Sequence, residues 1–249
     1  VMEIKDLSAE EIAAKMQGTK AQKDTVTKEK APKINKPLDF MQLQFPNNDR
    51  SILFAVFAAF EQASSATQPV RVLHYGDSQI ENDRITSKMR DVLQAKFGGY
   101  GPGLLPILPI YEFEPFSYTR SYSEGWYSYT QFSDLTNVND KTNRYGVLGN
   151  FCQFTPFIAD SQRTSDVREA WLDFGKSRLT FARAKKFRKC RVFYGYNPAP
   201  FYTEMSTDST IVLADTFLFC NQIRTISHTS DHFISQVHLQ FKGRKSPQF

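Results

Sequence analysis

Several ordinary sources of function are missing from this chain of 249 residues. Its longest apolar stretch, residues 52–60, is far too short to span a bilayer, so no transmembrane segment is expected. Cysteine is scarce. Cys152, Cys190 and Cys220 show no metal-ligand spacing, and an odd number permits at most one disulfide, so they indicate neither a metal site nor a redox compartment. No internal repeat or low-complexity tract is present, and no export signal is legible from Val1 onward. There are only four histidines, and none stands three residues after an Asp or a Glu. The formal charge of +5 is modest, yet six of the nine residues over 183–191 are Lys or Arg. The simplest expectation for that run is a solvated face, since no recognised nucleic-acid fold accompanies it.

What is present is aromatic. Of the residues, 14% are Phe, Tyr or Trp, including 22 Phe and 11 Tyr, a density that suits β-structure and sugar-facing surfaces equally. With 41% hydrophobic and 23% charged residues the composition is globular, and the length allows one large or two smaller domains. Residues 1–36 are Lys-rich and polar and read as an arm or tether, because they lack the apolar groups that offset the entropy of ordering.

From residue 51 the pattern changes. Ile52, Leu53, Val56, Phe57 and Phe60 recur at helical spacing behind Asn48 and Asp49 as caps. Val70, Val72 and Leu73 then predict a buried strand that ends in Gly76-Asp77-Ser78, with Gly76 allowing a sharp turn. Ile85, Met89, Val92 and Leu93 predict a second helix, stopped by Gly98 and Gly99. Helix, strand, turn, helix is the opening of an α/β layered domain, assigned to 37–113 together with a Pro- and Gly-rich connector over 100–109. Ser78 is expected at the N-terminus of the following helix, where free amides and the dipole favour negative charge. Beyond 114 come short aromatic and β-branched runs at 116–122, 126–132, 145–154, 169–174, 190–196, 209–219 and 233–241, separated by turn residues. They predict an antiparallel sandwich of about seven strands over 114–249.

Residues 74–86, His-Tyr-Gly-Asp-Ser-Gln-Ile-Glu-Asn-Asp-Arg-Ile-Thr, resemble the first block of the SGNH (GDSL-type) hydrolases. With Asp83 five residues beyond Ser78, an amphipathic helix, and Phe97-Gly98-Gly99-Tyr100-Gly101-Pro102-Gly103, the resemblance is to the peptidoglycan O-acetylesterase branch. It implies a three-layer α/β domain interrupted by a β-sandwich resembling a carbohydrate-binding module, incomplete in these residues. It also implies export to the periplasm or cell surface, no metal and no organic cofactor. Gln79 departs from the namesake pattern, which has Leu there. The family's base and orienter, an Asp-x-x-His, are absent from residues 1–249, so a continuation past Phe249 or a companion chain is expected to carry them.

The activity implied is removal of O-acetyl groups from an acetylated bacterial polysaccharide through an acetyl-serine on Ser78, with Gly76, Asp77 and Asp83 supporting the turn. The other reading of Ser78 is a helix N-cap. Trp126, Tyr127, Tyr129 and Trp171 are candidate sugar contacts, against the alternative of sandwich core. Gly195-Tyr196-Asn197 copies the spelling of the family's oxyanion-hole Asn block inside the expected sandwich. His74 is expected to be packed on its strand, and His228, His232 and His238 to be surface residues of the last strands. Rivals to the esterase are an acetyltransferase of the same fold and a non-catalytic glycan-binding protein. No nucleic-acid partner is expected.

Overall fold

The computed structural model describes residues 43–66, 68–110, 115–131, 144–156 and 166–249. The chain divides into two units, Val1–Arg50 and Ser51–Phe249. In the first, the described residues form a 3-10 turn at Pro46–Asn48, with the Arg50 guanidinium over the Phe45 ring. The arm expected over 1–36 lies outside the described residues, as do the end of the strand expected to reach Phe132 and the start of the sandwich at residue 114.

The second unit is mostly β-structure. Its described strands are β1 (Tyr118–Tyr122), β2 (Tyr127–Thr130), β3 (Asn150–Gln153), β4 (Arg168–Lys176), β5 (Phe187–Tyr194), β6 (Phe201–Thr207), β7 (Thr210–Phe217), β8 (Arg224–Ile234) and β9 (Val237–Gly243). Among the described residues every strand pairing is antiparallel. The largest sheet has the order β1-β4-β9-β6-β7, and β2-β3 and β5-β8 form two-stranded sheets.

Alternation, clearest along β6 and β9, sets the two faces of the large sheet. On the inner face Leu239 lies opposite Leu172 on one side and Met205 on the other, and all three are fully buried. Phe241 lies in the same way between Ala170 and Thr203. Val192 and Tyr194 from β5, Ile226 and Ile234 from β8, and Cys152 and Phe154 close over that face in one core, with Leu108 of the connector. Facing antiparallel sheets around one core are compatible with a β-sandwich. The three cysteines are free thiols, and burial pushes Cys152 up to about 11, so it behaves as a small apolar side chain.

The strand count differs from the expected seven for identifiable reasons. β6 alternates well but follows Pro198 and Pro200, which read as a loop. The expected run 209–219 starts one residue early: Asp208 and Ser209 have φ of 45° and 72° and form the β6-β7 turn. The run 233–241 is two strands, because Ser235 and Gln236 make the β8-β9 turn without any Gly, Pro, Asn or Asp.

The part before the sandwich contains α1 (Phe54–Gln62) and α2 (Thr86–Phe97), as the helical spacing predicts, and Gly98 at φ 88° ends α2 as its C-cap. The buried strand predicted over 70–75 is not formed. These residues have no regular structure, and Val72 and Leu73 are 56% and 66% exposed. The reason is the lack of neighbours. A parallel strand needs a partner on each edge and a helix on each face, and among the described residues no strand runs beside this segment. The apolar faces of both helices are likewise uncovered: Phe54, Phe57, Met89 and Val92 are exposed. One aromatic contact joins the pair, Phe60 on Phe97 with ring centroids 5.3 Å apart.

Candidate active site

The Gly-Asp-Ser turn leads into a 3-10 segment, Ser78–Asp83, and not directly into an α-helix. The helix proper begins at Thr86, so the expected placement of Ser78 among the free amides of an α-helix is corrected. The sequence accounts for the delay. Asp77 is an extended N-cap whose carboxylate accepts a hydrogen bond from the Gln79 amide at 2.9 Å, and the segment breaks at Asn82 and Asp83, with φ of 54° and 65°. At Gly76 a Cβ would lie 3.1 Å from the Ile80 side chain, which would have to shift slightly to admit it.

Asp83 is the anchor of this turn. Arg90, two helical turns further on, grips it with both guanidinium nitrogens: Nη1 to Oδ2 at 2.8 Å and Nη2 to Oδ1 at 2.9 Å. The Ser117 and Thr86 hydroxyls donate to the same carboxylate. Burial works to raise the Asp83 carboxyl, but the hydrogen bonds from Arg90, Ser117 and Thr86 outweigh it and hold the group below the ordinary carboxylate range. A left-handed backbone at a non-glycine residue costs energy, and this clasp offsets the cost. The Phe116 amide donates to the Asn82 carbonyl at 3.1 Å, so the end of the turn is tied to the entry of β1. Arg84 donates to the Ser78 carbonyl and, through Nε, to the Glu81 carbonyl at 3.2 Å.

Ser78 itself is exposed, and among the described residues its hydroxyl has no hydrogen-bond partner. His74 is exposed, with no strand to pack on. The described residues do contain a carboxylate-imidazole pair, but it lies elsewhere: Asp173 on β4 holds His238 Nδ1 at 2.9 Å on the outer face of the large sheet. Ser206 of β6 is the register partner of His238, so Asp173, His238 and Ser206 form one cross-strand row, and they line a shallow hollow of about 270 Å³. No hydrogen bond joins Ser206 to His238 among the described residues. Ser206 and His238 stand on paired strands of the large sheet.

Of the candidate sugar contacts, Trp126 belongs to the core. It packs edge-on against Phe154, Phe241 and Phe249 at 6.0, 5.7 and 6.0 Å and donates its Nε1 to the Trp171 carbonyl. Tyr129 stacks on Phe151 at 4.9 Å, and Tyr127 is half-buried. Trp171 is the exposed tryptophan, stacked beside His238 on the outer face of the sheet. Asn197 is fully buried, and its Nδ2 donates to the Phe217 and Leu218 carbonyls. It is a strut in the sandwich, not a free donor. Arg90 and Ser117 were missed by sequence reasoning. No local spacing rule links them to Asp83, which stands outside the helix at φ 65°.

Among the described residues no cluster of three His, Cys, Asp or Glu could hold a metal, and no helix is long and apolar enough to cross a membrane. No protein-family model, curated protein or solved structure matches this chain.

Proposed function

We propose that Ser78 is the nucleophile of an SGNH-type carbohydrate esterase that removes O-acetyl groups from an exported bacterial polysaccharide. One observation carries this reading: an exposed, unengaged serine hydroxyl stands at the head of a turn held from both ends, by Asp77 at its start and by the Asp83-Arg90 clasp at its close. A serine that served only as a helix cap would spend its hydroxyl on a main-chain amide, and at this turn Asp77 fills that role.

In this reading Ser78 Oγ attacks the acetyl carbonyl while an imidazole accepts its proton. The tetrahedral oxyanion collapses, the sugar hydroxyl leaves with that proton, and water then releases acetate from the acetyl-serine. The reading requires an imidazole-carboxylate pair and oxyanion donors to be brought to the turn. The uncovered apolar faces of α1, α2 and residues 70–75 offer the surface on which the rest of a three-layer α/β domain carrying them would pack.

The test is acetate release from O-acetylated glycan by the full-length protein. Ser78→Ala is expected to lower kcat by about a thousandfold or more. Release that is unchanged in Ser78→Ala, or absent from the folded full-length protein, overturns the proposal. Recovery of the acetyl group on an added glycan acceptor assigns the same serine to transfer and removes hydrolysis.

A further inference from the structure

The basic run over 183–191 is exposed at Lys186, Arg188 and Lys189, and its charges are held close together. Between Asp173 and Glu204 the chain carries no carboxylate, and among the described residues Arg183, Lys186, Arg188, Lys189 and Arg191 form no ion pair. Three of these cations are mounted on a pair of rings. Tyr100 of the connector and Phe233 of β8 meet edge to face with centroids 4.5 Å apart. Lys186 Nζ lies 4.5 Å from the Phe233 ring and 5.3 Å from Tyr100, Arg188 lies 4.6 Å from Phe233, and Arg183 lies 5.2 Å from Tyr100. The Arg183 carbonyl also accepts from the Gly101 amide at 3.0 Å, which fixes the loop to the connector. Cation-ring contacts hold these charges in place but leave them un-neutralised.

The charge continues along β5. Lys189 and Arg191 stand in register with Thr229 and Ser227 of β8, all on the face away from Val192 and Ile226, and Asp231 is the only carboxylate on either strand. Like charges held together oppose folding unless a ligand of opposite sign offsets them. We infer that the surface running from the Arg183-Lys186-Arg188 cluster over Tyr100 and Phe233 onto the outer face of β5-β8 binds an anionic polysaccharide, one whose sugars carry carboxylate or phosphate groups. The choice of a saccharide polymer deepens the esterase reading and rests on it; the anion site does not depend on Ser78.

Two features separate this ligand from other polyanions. Single-stranded nucleic acid is bound by stacking bases on open rings, and here the rings of Tyr100 and Phe233 are already occupied by cations. A bilayer surface needs apolar side chains beside the charges. The exposed Ile223 lies at the other end of the ribbon, beside Arg224, and on the cation face of β5 the exposed apolar side chain is Phe193, a single ring with the Arg191 guanidinium 5.7 Å above it, which is no apolar band for a bilayer. The row of exposed hydroxyls opposite the β5 cations instead suits a hydroxyl-rich chain.

The experiment measures binding of the full chain to polygalacturonate, neutral dextran, duplex DNA and phosphatidylglycerol vesicles at several salt concentrations. Polygalacturonate is expected to bind with a marked salt dependence, and dextran not to bind. The triple change Arg183→Gln, Lys186→Gln, Arg188→Gln is expected to weaken binding by about tenfold or more. If that variant unfolds, Lys189→Gln with Arg191→Gln, on an exposed strand face, is expected to weaken it by a smaller factor. Equal binding of polygalacturonate and dextran, tighter binding of DNA or vesicles than of polygalacturonate, or full binding by the folded variants overturns the proposal. Polygalacturonate binding in a protein whose Ser78 proves inert keeps this site and removes the esterase. Acetate release with no preference for charged over neutral acetylated glycan does the reverse.

Discussion

Two parts of the second unit use the same types of apolar side chain to opposite effect. In the sandwich, Leu172, Met205, Leu239 and Phe241 are removed from water completely. Around Ser78, side chains of the same type on α1, α2 and residues 70–75 remain in water. Burial stabilises by about 25 cal/mol per Å² of apolar surface, so the sandwich draws its order from its core and the Ser78 segment does not. The turn is instead held by polar contacts: the Asp77 cap and the Arg90 grip on Asp83. The lesson concerns dependence. A segment ordered by one partly buried ion pair is sensitive to single polar changes and to whatever covers its apolar faces, whereas a segment ordered by a core is sensitive to volume.

The sharpest way to break the comparison is to make the same substitution in both parts. Phe241→Ala is expected to lower the free energy of unfolding by about 3–5 kcal/mol, because it leaves a cavity between Trp126, Phe154 and Phe249. Phe57→Ala, on the exposed face of α1, is expected to change it by less than about 0.5 kcal/mol. Denaturant titration of the two variants checks this, and equal losses would show that the Ser78 segment has a core of its own.

A smaller effect is expected from the clasp. Asp83→Asn leaves the Arg90 guanidinium partly buried without its carboxylate and costs about 2 kcal/mol, read most clearly as faster amide exchange over 78–90 with the sandwich strands unchanged. The pH dependence has a definite sign. The carboxyl is lowered in the folded protein, so its contribution is fully present above the unfolded value near 3.8 and is lost as pH falls through the folded value. Protection of the turn's amides, taken relative to the intrinsic exchange rate at each pH, should therefore hold at neutral pH and fall only as pH drops below the ordinary carboxylate range. In Asp83→Asn that protection should be low at every pH.

What the sequence made legible follows the same division. The antiparallel sheets were readable in outline because strands such as β4 and β9 alternate along part of their length, while β6 alternates as well but was hidden behind Pro198 and Pro200; Gly98 was readable as a helix stop because a positive φ selects glycine. The two helices were readable by spacing, but their burial was not, because periodicity records a face and not what covers it. Val70, Val72 and Leu73 spell a buried strand, yet a strand is a property of its neighbours. At the site, Ser78, Asp77 and Asp83 could be picked from the motif. Arg90 and Ser117 could not, since they meet Asp83 only after the chain has turned at Asn82 and entered β1. Trp126 and Trp171 were indistinguishable by composition. Register assigned the second to the outer face, opposite Gln240, and edge-on ring packing placed the first in the core.

The smallest expected effect sharpens the comparison from the polar side. Lys242 pairs with Glu169 across β9 and β4 on the solvent face, with both side chains about half exposed. An ion pair in that setting contributes little, because water screens the attraction and two long side chains lose freedom to form it. Lys242→Gln is expected to shift the unfolding free energy by less than about 0.5 kcal/mol, and the shift should shrink further in high salt. Asp83-Arg90, bidentate and mostly sheltered, should keep most of its effect under the same conditions. Measuring both variants across a salt series tests the claim directly: if the two respond alike, the clasp is an ordinary surface pair and something other than polar anchoring holds Ser78 in place.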